Sequence, residues 1–142
     1  MKLATKLQIT SENLKITEGY VINEIVGFFA DKFKSGEMMK TFERSLFQED
    51  ICNRKKNILL DFWAYVPGCT ETNFQLLGKK WIPEDKYGYE YKGVNLNHIY
   101  KDVLTRIAKL TKENFEKEGF SVDIRLNDED RRYKTYIIEI SW

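Results

Sequence analysis

Residues 120–142 read Phe-Ser-Val-Asp-Ile-Arg-Leu-Asn-Asp-Glu-Asp-Arg-Arg-Tyr-Lys-Thr-Tyr-Ile-Ile-Glu-Ile-Ser-Trp. Phe120, Val122, Ile124 and Leu126 alternate with Ser121, Asp123 and Arg125, the period of a strand with one covered face. Asn127-Asp128-Glu129-Asp130 supplies turn chemistry. From Arg132 to Trp142 the alternation resumes, with Tyr136, Ile138, Ile140 and Trp142 on one face and Tyr133, Thr135, Ile137 and Glu139 on the other. Two such runs about a short turn make a β-hairpin and call for an antiparallel sheet. Ile137 adds an apolar residue to the second face, so the last strand is expected to be covered on both sides, at the centre of the sheet or at a dimer contact.

Working back along the chain, Asn95 is a helix N-cap, and Leu96, Ile99, Val103, Ile107 and Leu110 form the apolar stripe of a helix over 96–118. Gly119 stands where a C′ glycine ends such a helix. Ile58–Val66 is a strongly apolar strand containing Asp61, and Asn73–Ile82 returns as its hairpin partner after a loop at 67–72, with Gly78 at a bulge. Residues 83–93 are expected to be the longest loop. Asn53–Asn57 is a polar break. Glu37–Gln48 reads as a short helix on Met38, Met39, Phe42 and Leu46. Tyr20–Phe33 reads as a helix with a wide stripe of Ile22, Ile25, Phe29 and Phe33, entered through Thr17 as N-cap and ended at Ser35-Gly36. Leu3, Thr5, Leu7 and Ile9 alternate with Ala4, Lys6 and Gln8, the pattern of a first strand, and Leu14 and Ile16 extend it to a second short one. The expected order is β-α-α-β-β-α-β-β, a single α+β domain over residues 1–142 whose antiparallel sheet carries packed helices.

Bulk composition agrees with one folded domain and excludes several classes. The chain has 142 residues, 42% of them hydrophobic and 14% aromatic, with eight Gly and two Pro. That is too apolar for a disordered chain and too poor in Gly and Pro for a collagen-like one. Lys and Arg number 23 against 22 Asp and Glu, so the basic excess typical of phosphate-backbone binders is missing. Cys52, Cys69 and His98 are too few for a four-ligand zinc site. Two cysteines make no disulfide scaffold, Met1–Thr10 has no apolar signal core, and no apolar run reaches the ~18 residues of a membrane span. A cytoplasmic location and no membrane contact are the expectation.

Catalytic signatures are sparse. No Gly-x-x-x-x-Gly-Lys or Gly-x-Gly-x-x-Gly loop occurs, and no glycine-flanked nucleophile serine. No cofactor, catalytic residue or bound metal is expected. Asp61, an acid inside an apolar strand, is the one centre on which a small metal-dependent hydrolase or nuclease could be built, with Glu90-Tyr91-Lys92 as a formal acid–x–Lys triplet. The feature that stands out is aromatic: Trp81, Tyr87, Tyr89 and Tyr91 lie within eleven residues, interleaved with lysines. Tyr and Trp give large contact areas at low entropy cost, which suits a protein-binding surface. The alternative is an edge strand at 87–91 with its tyrosines packed on the sheet. A second alternative pairs these rings with Arg54, Lys55, Lys56, Lys79 and Lys80, brought together by the 58–66/73–82 hairpin, as a nucleic-acid surface.

The wide stripe of 20–33 and the aromatic last strand present more apolar surface than one small sheet covers, which favours a homodimer. In its Lys-, Tyr- and Phe-rich, motif-poor character the chain resembles small accessory proteins of bacterial mobile elements and phages, such as inhibitors and immunity proteins. That resemblance and the aromatic segment together imply a small binding protein, a regulator or inhibitor acting through a protein partner.

Overall fold

A computed structural model describes residues 1–64, 71–84, 86–127 and 133–142. In chain order the elements are α1 (Leu3–Lys34), α2 (Glu37–Ser45), α3 (Gln48–Asn53), β1 (Lys55–Trp63), β2 (Asn73–Leu76), β3 (Lys79–Trp81), β4 (Lys86–Tyr87), β5 (Glu90–Tyr91), β6 (Val94–Asn95), α4 (Leu96–Lys117), β7 (Ser121–Asn127) and β8 (Tyr133–Ser141). The fold is α+β. Five strands form an antiparallel sheet in the order β3-β2-β1-β8-β7, and β4-β5-β6 form a small antiparallel sheet of their own.

The C-terminal hairpin forms with Ile124 opposite Ile138 and Val122 opposite Ile140, so the alternation read from the sequence sets its register. β8 also pairs with β1 along its whole length, from Lys55 opposite Ser141 to Trp63 opposite Tyr133. It is thus an inner strand, one of the two positions that Ile137 implied. The turn at Asp128–Asp130 lies outside the described residues.

α4 lies against one face of the main sheet, and α1 packs on α4. Ile58, Leu60 and Phe62 of β1, Phe74 and Leu76 of β2, and Ile138 and Ile140 of β8 point into the core, where they meet Val103, Leu104, Ile107 and Ala108 of α4. Phe62 stacks on Tyr100 at 5.0 Å. At one end of the core Phe42, Phe115, Phe120 and Trp142 meet edge to face, the geometry favoured by the ring quadrupoles. α4 starts as its sequence requires: Asn95 Oδ1 accepts from the Asn97 N–H at 2.9 Å, and Gly119, at φ +92°, follows its end.

Several expectations are corrected. The first strand at Leu3–Ile9, its companion at Leu14 and Ile16, and the Thr17 cap do not form; one helix runs from Leu3 to Lys34. Thr17 sits inside it, its hydroxyl donating to Asn13 O at 2.9 Å, as Thr10 donates to Lys6 O. A helix nucleated by the buried 21–33 segment extends upstream at little cost per residue, and no Pro or Gly interrupts it between residues 3 and 18. The helix expected over 37–48 divides into α2 and α3, because the Asp50 carboxylate accepts from the Phe47 N–H at 3.4 Å and starts a new helix there. α3 ends at Arg54, with φ +55°, and the polar stretch after it is already the start of β1.

Gly78 is a turn residue, not a bulge: Leu77 and Gly78 have φ +49° and +75°, the pair of positive values that closes a two-residue hairpin between β2 and β3. The long loop at 83–93 is replaced by the small sheet, closed at Lys92-Gly93 by the same device, with φ +50° and +78°. The loop expected at 67–72 falls largely outside the described residues.

Candidate functional site

The aromatic segment divides. Trp81, on the edge strand β3, is buried; it packs edge to face on Tyr91 at 5.2 Å and on Phe74 at 6.1 Å. Tyr91 is buried too, and its hydroxyl donates to Glu24 Oε1 at 3.1 Å. Lys92 reaches the same oxygen at 3.2 Å. Burial, and then the hydrogen bond to Glu24, push the Tyr91 phenol above its ordinary range; the bond to Glu24 also raises the Lys92 ammonium. Tyr91 therefore ties the small sheet to α1 through Glu24 and to the main sheet through Trp81. Tyr89 stands out at 41% exposure, and the side chain of Tyr87 lies outside the described residues. Beside this junction is a cleft of about 510 Å³ lined by Glu24, Phe28, Lys80, Trp81, Ile82, Pro83, Glu84 and Tyr91. A more open hollow of about 770 Å³ lies on α3 against Phe47, Gln48, Glu49, Cys52 and Asn53. Cys52 is exposed and free; Cys69 is outside the described residues.

The basic residues are not brought together, and four of the five face carboxylates. β1 and β2 do pair, but Lys79 and Lys80 align through Leu76 and Gln75 with Leu60 and Asp61. That places them about five residues along β1 from Lys55, on the order of 16 Å at the rise of a strand. Lys56 is bound to Asp50 at 2.9 Å, Lys79 to Glu37 at 2.8 Å, Lys80 to Glu71 at 3.6 Å and Lys55 to Glu139 at 3.8 Å. The Lys79 and Lys32 contacts hold the Glu37 carboxyl below its usual range, and the Lys56 contact does the same for Asp50. Arg54 is the exposed C-cap of α3.

Asp61 lies on the sheet face turned away from α4. It is half-buried opposite Thr135, whose hydroxyl donates to Asp61 Oδ1 at 2.9 Å. Burial raises its carboxyl above the ordinary aspartate value, and the Thr135 hydrogen bond opposes that rise. Among the described residues no group of three or more His, Cys, Asp and Glu is placed to hold a metal ion.

A further set of exposed apolar residues lies on the first half of α1, where the alternation of Leu3, Thr5, Leu7 and Ile9 had suggested strands. Residues 3–16 of α1 are all exposed. At 1.5 Å per residue they project roughly 21 Å from the body. Leu3, Leu7 and Leu14 continue, within about 40° of arc, the stripe on which Val21 and Ile25 are buried. Ile9, Ile16 and Tyr20 form a second stripe nearly opposite. Leu3 is 71%, Leu7 57%, Ile16 57% and Tyr20 72% exposed. The 3, 7, 14 spacing was available in the sequence, but the alternation of 3, 5, 7 and 9 competes with it over the same residues.

Among the described residues no helix is long and apolar enough to cross a membrane. No family model, no curated protein and no solved structure matches the chain.

Proposed function

We propose that the chain is a binding protein, a regulator or inhibitor acting through a protein partner, and that its recognition element is the bare half of α1. The observation that supports this reading is the pair of apolar stripes on residues 3–20, exposed on opposite sides of one projecting helix. A monomer exposes scattered apolar residues without consequence, but apolar residues aligned at helical spacing along one exposed helix mark a binding face. The stripes suit an apolar groove or a pair of helices on the partner, the helix-in-groove mode of recognition. Tyr89 and the cleft beside Trp81 would lie at the rim of such a contact, not at its centre.

The nucleic-acid alternative draws less support, because four of its five basic residues face carboxylates within 4 Å and the set is split along the sheet. The hydrolase alternative rests on Asp61 alone, without a neighbouring ligand set among the described residues.

The test is co-purification from the source cells with a tagged chain, run beside a Leu7→Glu, Leu14→Glu, Ile16→Glu variant. The reading expects a stoichiometric protein that the variant loses while its circular dichroism is unchanged. A partner retained in full by the folded variant would refute the assignment to α1.

A further inference from the structure

The two edges of the main sheet are built differently. β3, at one edge, has three residues, two of them lysines, which is the usual protection against stray strand pairing. β7, at the other edge, has seven residues, about 23 Å of strand, and contains no Lys, no Pro and no bulge against β8. Ser121, Asp123, Arg125 and Leu126 are exposed, with Leu126 at 52%. Beyond β7 no described strand takes up its outward backbone groups.

The sequence of β7 is complementary to itself when reversed. Set antiparallel about Ile124, a second copy places the partner's Arg125 opposite Asp123 and the partner's Asp123 opposite Arg125, on the outer face. On the inner face the same register places the partner's Leu126 opposite Val122, the partner's Ile124 opposite Ile124 and the partner's Val122 opposite Leu126. Among the described residues of one chain this charge pattern is unsatisfied. Asp123 sits opposite Glu139, a like charge, and Glu139 already faces Lys55. Among the described residues neither Asp123 nor Arg125 has an ion-pair partner. Opposite charges directly across an antiparallel pair stabilise it and like charges oppose it.

We propose that β7 is a homodimer interface, joining two five-stranded sheets into one ten-stranded antiparallel sheet through β7 pairing about Ile124. The pairing is isologous, so each contact occurs twice and the assembly closes at two copies. It uses a surface separate from α1 and leaves both projecting helices free.

Charge reversal on the full-length chain tests this, read by sedimentation equilibrium with circular dichroism as the fold control. The native chain is expected to be dimeric. Asp123→Arg alone and Arg125→Asp alone each set like charges across both symmetry-related pairs, and each is expected to weaken the dimer by about tenfold or more. The double variant restores opposite charges in the same register and is expected to recover the native constant within about threefold. Leu7→Glu with Leu14→Glu, on α1, is expected to leave the dimer intact, which separates this proposal from the reading of α1.

A monomeric native chain would overturn the proposal. So would single reversals that stay dimeric, a folded double variant that stays monomeric, or a dimer lost only on changing α1. Should a reversal unfold the chain, amide exchange of the native protein decides. Protection along 121–127 that rises with concentration supports the interface, and protection independent of concentration refutes it.

Discussion

The two halves of α1 carry the same stripe into different surroundings. From Val21 to Phe33 it is buried: Ile25 and Phe29 are fully enclosed, and Phe33 meets Phe115 at 6.2 Å. From Leu3 to Leu14 it is exposed. The contrast teaches that apolar spacing identifies a face to be covered without identifying the cover. In the second half α4, α2 and the small sheet provide it; in the first half no described residue buries it.

The strongest way to break the comparison is to empty a buried position. Phe29→Ala is expected to cost about 3–5 kcal/mol, by lost transfer energy and the cavity left behind, read from urea unfolding. A loss below about 1 kcal/mol would mean that the buried half is not packed as described. Leu7→Glu, Leu14→Glu and Ile16→Glu together should act in the opposite sense. Partner affinity should fall at least about tenfold, some 1.4 kcal/mol, while each substitution shifts the unfolding free energy by no more than about 0.5 kcal/mol. Destabilisation well beyond that would show that residues 3–16 fold back on the body.

Two glycines sharpen the same contrast. Gly19 lies where the bare half meets the buried half, and Gly27 lies within the buried half. A Cβ at either meets no heavy atom within 4 Å. Gly→Ala at each should stabilise by about 0.5–1 kcal/mol, the helix-propensity difference. A gain at Gly27 alone would show that the helix does not run unbroken through residue 19.

The smallest effect is on the sheet, which also has a covered and an open face. Asp61, on the open face, has its pKa raised by burial. The native state therefore holds the Asp61 proton more tightly than the unfolded chain does. This group's contribution is more favourable at low pH and is lost as pH rises from its ordinary value, near 4, through the raised one. Asp61→Asn keeps an acceptor for Thr135 and removes the charge. It should leave stability at pH 7 unchanged or raise it by less than about 1 kcal/mol, because the half-exposed site is screened. Thermal melts from pH 3 to 7 would check this; a clear loss at pH 7 would mean that the charged carboxylate is needed.

Legibility followed the range of the interactions. The 120–142 hairpin, α4 with its Asn95 cap and Gly119 terminus, and the β1–β2 pairing could be read because each is specified by neighbours along the chain: a period of two or 3.6, a cap, a turn. The aromatic cluster was visible as a composition, but its division into buried Trp81 and Tyr91 and exposed Tyr89 was not. Burial there depends on Glu24, 67 residues upstream of Tyr91. The lysines were likewise visible one by one, while their pairing with Glu37, Asp50, Glu71 and Glu139 depends on register across strands and on helix ends.

By itself, then, the sequence determined which residues are apolar, at what period, and where hairpins and caps fall, because these are local and steric. Only the tertiary structure decided that Leu3–Ile9 is helical, since a helix nucleated downstream extends through an ambiguous stretch more readily than an isolated strand forms. It alone left β7 at an edge and half of α1 exposed among the described residues, because an edge or a bare face exists only once the other elements have taken their places.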